Sequence, residues 1–124
     1  MLGVGYLKNI EDIIKAGIDL FDCTVPTHYA RRGIAFIHPK TKQSSGVGAR
    51  RWAINLKQSK YLNNREPLDK ECVCKVCLNY KKDYISHLLR AGELTAFKLL
   101  TFHNLYYFNN FIEGIRAKIK KGEI

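Results

Sequence analysis

No apolar run in this chain approaches the roughly 18–20 residues that a membrane-spanning helix needs. A helical membrane span is therefore excluded, and no membrane partner is expected. The opening residues, Met1-Leu-Gly-Val-Gly-Tyr-Leu7, place no basic stretch ahead of an apolar one, so no secretory leader is expected. Phosphate-cradling glycines are also missing: Gly46-Val-Gly48 is too short for either the dinucleotide or the P-loop pattern. No internal repeat is visible, which argues against a solenoid or propeller. The 124 residues suffice for one modest domain. Acidic residues are scarce, with 11 Asp plus Glu against 21 Lys plus Arg and a net charge of +10. That excess speaks about partners, a polyanion such as nucleic acid first and a membrane surface second.

Cysteines number only four, yet three of them fall together in Cys72-Val-Cys74-Lys-Val-Cys77. Clustered thiols without a secretory leader read as metal ligands rather than disulfides, and the cytoplasm is the expected location. A structural zinc site takes four ligands, commonly three thiolates and an imidazole. His103 is the first candidate for the fourth ligand and His87 competes; spacing alone favours His103 only weakly. A redox pair at Cys74-x-x-Cys77 would usually open a helix after a strand. Here Pro67, Asp69, Lys70 and Glu71 precede it and suggest a loop, so one structural Zn2+ is the expected cofactor.

Elsewhere the patterning is that of an α/β chain. Residues 2–5 are short and apolar. Asn9 can cap a helix starting at Ile10, with Ile10, Ile13 and Ile14 on one face and Gly17 at the C′ position. Ile18 to Cys23 reads as a buried strand that Val25-Pro26-Thr27 ends, giving a parallel βαβ unit with a right-handed crossover. Short strands are expected at Ile34–Ile37 and Trp52–Leu56, with a basic, exposed loop at 38–51 between them. After the cysteines the chain turns helical. Tyr84 to Arg90 is a short segment, and Leu105, Phe108, Ile112, Ile115 and Ile119 form one apolar helix face.

In parallel α/β folds, chemistry collects at the C-terminal ends of strands, where Asp22 would sit. Such a carboxylate is either structural or a nucleophile, and composition does not choose between them. Asp19 would point to the opposite face of the strand, and Cys23 reads as a small buried residue. Arg31, Arg32, Arg50, Arg51, Lys57, Lys60, Lys81 and Lys82 form a solvated face by default. Interleaved Tyr29, Trp52 and Tyr61 favour contact with unpaired bases.

These pieces in order resemble the C-terminal part of the tRNA-guanine transglycosylase (queuine tRNA-ribosyltransferase) family, bacterial type. The resemblance runs through Leu2-Gly-Val-Gly5, Gly17-Ile-Asp-Leu-Phe-Asp-Cys-Thr-Val-Pro-Thr27, Ala30-Arg-Arg-Gly33, Pro67-Leu-Asp69, Cys72-x-Cys74-x-x-Cys77, Tyr84-Ile-Ser-His-Leu88 and His103-Asn-Leu105. It implies a fold that is the C-terminal part of a (β/α)8 TIM barrel, its last βαβ unit, plus a helical zinc-binding subdomain. The implied segments are 1–37 (last strands and helix of the barrel), 38–66 (basic loop and short β segments) and 67–124 (zinc-binding helical subdomain).

The resemblance further implies exchange of the wobble guanine in a tRNA anticodon loop for a 7-deazaguanine, in the queuosine pathway. Asp22 matches the nucleophile that forms a covalent intermediate with the ribose. Leu2 and Gly3 match a segment lining the base pocket, and Arg31 matches a basic residue holding RNA. Cys72, Cys74, Cys77 and His103 match the zinc ligands. Two positions depart from the pattern: His28 stands where the family has arginine, and the loop around 39–51 is longer. A barrel of this type needs about 250 residues, so the chain is expected to be inactive alone. Its expected partners are tRNA, guanine or a 7-deazaguanine base, a second copy, and a complementary N-terminal barrel half. The competing class is a non-catalytic zinc module that binds RNA or a partner subunit, using the same cysteines and basic face but not Asp22.

Overall fold

The computed structural model describes residues 1–39 and 52–124, and its elements follow from where apolar side chains find cover. They are α1 (Leu7–Lys15), α2 (Val25–Arg31), β1 (Ile34–Phe36), β2 (Ala53–Asn55), a 3-10 turn at Ser59–Tyr61, α3 (Lys75–Asn79), α4 (Lys82–Arg90) and α5 (Leu94–Lys120). Of the expected loop at 38–51, residues 40–51 lie outside the described residues, and Gly46, Gly48, Arg50 and Arg51 with them. No helix among the described residues is long and apolar enough to cross a membrane.

α1 begins one turn earlier than its expected cap. Leu7 and Ile10 lie three apart on one face and are both buried, so packing extends the helix upstream to Leu7. Asn9 therefore sits inside the helix, its amide bonded to the Tyr6 carbonyl. Gly17 does take the C′ place, at φ +93°, where an L side chain would be strained.

The expected buried strand at Ile18–Cys23 is reduced to one parallel bridge, Leu2 to Asp22. Gly3 N–H donates to the Asp22 carbonyl at 2.7 Å, and Asp22 N–H donates to the Met1 carbonyl at 3.0 Å. A parallel strand is stable when both faces are covered. Leu20 is 83% exposed, Asp19 and Asp22 are exposed, and Cys23 is only partly buried, so that cover is lacking among the described residues. Val25-Pro26-Thr27 does not merely end this segment. It forms the first turn of α2, where a proline's missing N–H costs nothing.

β1 and β2 pair antiparallel, Ala35 opposite Ile54. Amides of Ile37 and Leu56 extend the ladder by bonding the Trp52 and Gly33 carbonyls, so the pairing spans the expected strands. Alternation along β1 sends Ala35 and Ile37 into a cluster with Leu56, Leu68, Val76, Ile85 and Leu100. Phe36 enters a second cluster with Leu7, Ile10, Val25, Tyr107 and Ile115.

Among the described residues, the outer edge of β1 has no neighbouring strand. Side chains of α5 take that place. His103 Nε2 meets the Phe36 carbonyl at 2.8 Å, Asn104 meets Phe36 N–H and the Ile34 carbonyl at 3.0 and 2.9 Å, and Tyr107 O–H donates to the Ile37 carbonyl at 3.1 Å. The expected apolar face of α5 holds in its middle, where Ile115 is buried and Phe108 and Ile112 pack against the second cluster, but not at its ends. Its buried positions are Ala96, Leu100, His103, Asn104, Tyr107 and Ile115, whereas Leu105 and Ile119 are exposed. The helix turns polar groups inward because strand backbone waits there for partners.

Candidate metal centre

The cysteine cluster is shaped by Asp69. Its carboxylate accepts the Glu71 amide at 3.0 Å, a turn that aspartate favours because its side chain reaches the backbone two residues on. The same carboxylate accepts the His38 amide at 2.9 Å and the His38 ring at 3.1 Å. Its backbone carbonyl accepts the Cys72 amide at 3.2 Å. The loop expected before the cysteines is thus a set of turns. Cys74 then caps α3, its sulfur accepting the Cys77 amide at 3.4 Å, so the trio ends on a helix start rather than in open loop.

His103 approaches from α5. Its Nδ1 lies 3.7 Å from Cys72 Sγ, 3.5 Å from Cys74 Sγ and 3.3 Å from Cys77 Sγ. All four ligand atoms lie within 4.8 Å of one another and form a compact group that can hold a metal ion. A tetrahedral zinc with ordinary bond lengths has nitrogen-to-sulfur edges of about 3.6 Å. One ring nitrogen cannot serve three sulfurs by hydrogen bonding at once, so the equal spacing has the form of a coordination shell. The other ring nitrogen settles the tautomer: a carbonyl only accepts, so Nε2 carries the proton toward Phe36 and Nδ1 presents its lone pair to a metal. His87, the competing ligand of the sequence, is exposed on α4.

The electrostatics favour a cation. Hydrogen bonds from Cys72 and Cys77 push the Cys74 thiol well below its ordinary range. Cys72 and Cys74, with burial, push Cys77 above it, since adjacent thiolates repel. Burial works against a charged His103. Cys72, Cys74 and the Phe36 carbonyl outweigh it and hold the imidazole up to about 9. A divalent soft cation relieves the repulsion and displaces those protons.

Lys82 lies buried behind this loop, its Nζ 3.9 Å from Glu66 and 5.8 Å from the Tyr61 ring centroid. Burial pushes its ammonium down to about 8, against the help of Glu66. Below that pH both folded and unfolded chains carry the charge, and the folded state bears the full penalty. Above it the unfolded lysine still holds a proton that the folded one has lost, so stability rises with pH up to the ordinary lysine range. The relief is at most about 3 kcal/mol. Urea unfolding of the wild type and of Lys82→Met should therefore show a stability difference that shifts in favour of the wild type between about pH 8 and 10; a pH-independent difference would contradict this.

The other sequence candidates fall in a second region. Leu2, Gly3 and Asp22 are joined through backbone at the parallel bridge, and Leu2 and Asp22 are exposed. His28 and Arg31 belong to the following helix α2. Arg31 is exposed, and His28 is partly buried with its ring 6.4 Å from that of Tyr29. Asp69 carried no expected role as an organiser, and Asn104 entered only as the middle residue of His103-Asn-Leu105. An aspartate two residues before Glu71, in a stretch with no helical period, was the available signal for the first. Nothing local marks the second.

The family model for queuine tRNA-ribosyltransferase matches residues 1–124. A queuine tRNA-ribosyltransferase of Rickettsia rickettsii (strain Sheila Smith) is 41% identical over 123 residues, covering 99% of this chain and 31% of the relative. Those of Rickettsia conorii (strain ATCC VR-613 / Malish 7) and Rickettsia akari (strain Hartford) are 41% and 42% identical over the same shares. The chain thus spans about a third of the length of the curated relatives it matches.

Proposed function

This chain belongs to the queuine tRNA-ribosyltransferase family, and from that premise we propose that it carries the nucleophile and the structural zinc site of a tRNA-modifying transglycosylase. In this reading residues 1–37 are the last βαβ unit of a (β/α)8 barrel, and 67–124 are its zinc-binding subdomain. The observation that carries the reading is the parallel Leu2–Asp22 bridge, which sets an exposed carboxylate beside the glycine segment assigned to the base pocket. Asp22 attacks C1′ of the wobble ribose, and the bond from C1′ to guanine breaks with its electron pair leaving on the base. A 7-deazaguanine nitrogen then attacks C1′, expels the Asp22 carboxylate and gives up its proton, which offsets the proton that the departing guanine takes up. Two displacements give net retention, as in retaining glycosidases. Arg31 and His28, three residues apart on α2, would meet the RNA backbone. Zinc, when bound, supplies no chemistry to these steps; it crosslinks the cysteine loop to α5.

A radiolabelled guanine-exchange assay tests the proposal. The purified chain with tRNA is expected to give no exchange, and addition of a complementary N-terminal barrel half is expected to restore it. Robust turnover by the chain alone would contradict the division of labour. No turnover with a folded, associated complement would contradict the enzyme reading.

A further inference from the structure

We propose that Asn104 is a positioning residue for the Asp22–α2 segment, holding it in register with the metal-anchored face of α5. The side chain is fully buried, and three of its four hydrogen-bonding positions are filled. Oδ1 accepts the Phe36 amide at 3.0 Å, while Nδ2 donates to the Ile34 carbonyl at 2.9 Å and to the Pro26 carbonyl at 3.1 Å. Only one orientation of the amide satisfies an N–H and two carbonyls, so the donor set fixes its direction. Two of these contacts lie on β1. The third reaches the first turn of α2, four residues after Asp22.

The neighbouring His103 holds the Phe36 carbonyl with one ring nitrogen and faces the cysteine sulfurs with the other. The dipeptide His103-Asn104 therefore joins three things across one strand: the sulfur shell, β1 and the helix that follows Asp22. Removing the Asn104 amide leaves the His103 contact with β1 in place but cuts the tie to Pro26. α2 then keeps its apolar packing through Val25 and Ala30 but loses its hydrogen bond to α5, so the Asp22 segment is held less firmly. The catalytic meaning of this tie rests on the nucleophile reading of Asp22, but the physical coupling does not.

Cys23 provides a reporter beside Asp22. It is partly buried, its sulfur packed so closely on Gly5 that a methyl group there would overlap it, so alkylation is slowed while the segment stays in place. The test is iodoacetamide labelling of the zinc-loaded 124-residue chain, with mass mapping of each cysteine and metal analysis. In Asn104→Ala, Cys23 should be labelled at least about ten-fold faster, while one zinc per chain is kept and Cys72, Cys74 and Cys77 stay protected. Asn104→Asp keeps the acceptor for Phe36 but loses both donors, and should behave alike. A merely structural role would expose all four thiols together and release zinc. That result, or an unchanged Cys23 rate, overturns the proposal. If neither variant folds, amide exchange of the wild type decides. The α2 amides should open at the rate of those flanking Asn104, and α2 opening far faster would sink the coupling. Failure of adduct formation at Asp22 leaves these outcomes readable, so the two ideas fail separately.

Discussion

Stripping metal from the Cys72–Cys74–Cys77–His103 shell is expected to unfold the helical half of the chain. A structural zinc contributes on the order of 10 kcal/mol at neutral pH, against about 5–15 kcal/mol for the whole stability of a typical domain. Cys74 and Cys77 are themselves members of the first apolar cluster, with Leu68, Val76, Ile85 and Leu100. Three thiols brought together without a cation retain their mutual repulsion, and the loop that Asp69 shapes loses its anchor on α5. A chelator titration followed by circular dichroism and metal analysis should show helix signal falling in step with zinc content. Cys77→Ser should reproduce the loss, while replacing the exposed His87 by alanine should leave both readings unchanged. Full helix content at zero zinc would remove the metal from its structural role.

Asp22→Asn is expected to abolish a covalent adduct between the chain and tRNA, assayed on denaturing gels with the complementary barrel half present. An amide is a poor nucleophile toward a sugar carbon, whereas a carboxylate attacks without an activating base. The residue is exposed and bonded to its neighbours through backbone, so the exchange should leave stability within about 0.5 kcal/mol, as for surface positions generally. Adduct surviving the substitution would reject Asp22 as nucleophile. RNA binding that is steeply salt-dependent and indifferent to the substitution would instead support a non-catalytic zinc module working through the basic surface.

What was legible in the residues, and what was not, divides along physical lines. The cysteine trio was visible because soft ligands at close spacing have few other uses in a chain without disulfides. Spacing alone did not choose between His87 and His103, because ligand convergence is a tertiary fact; the family resemblance did. His103 lies 26 residues beyond Cys77 and reaches it only because α5 folds back across β1. The strands at β1 and β2 followed from short apolar runs. The inner face of α5 did not follow from hydrophobic period, because His103 and Asn104 are polar residues buried to satisfy a strand. A period count ranks such positions as solvent-facing. The start of α1 was missed by a turn since Asn9 offered a cap that the burial of Leu7 overrides. The segment 18–23 read as a covered strand because its composition is that of one, and cover is a property of neighbours rather than of the segment.

The substitution of α5 side chains for a third strand also has a consequence in time. Phe36 and His103 are 67 residues apart. At synthesis rates of roughly 5–20 residues per second, β1 leaves the ribosome several seconds before the helix that completes it. Through that interval its backbone amides and carbonyls form an open template for pairing with other nascent chains. A helix arriving late with histidine, asparagine and tyrosine then occupies the backbone groups left open at that edge.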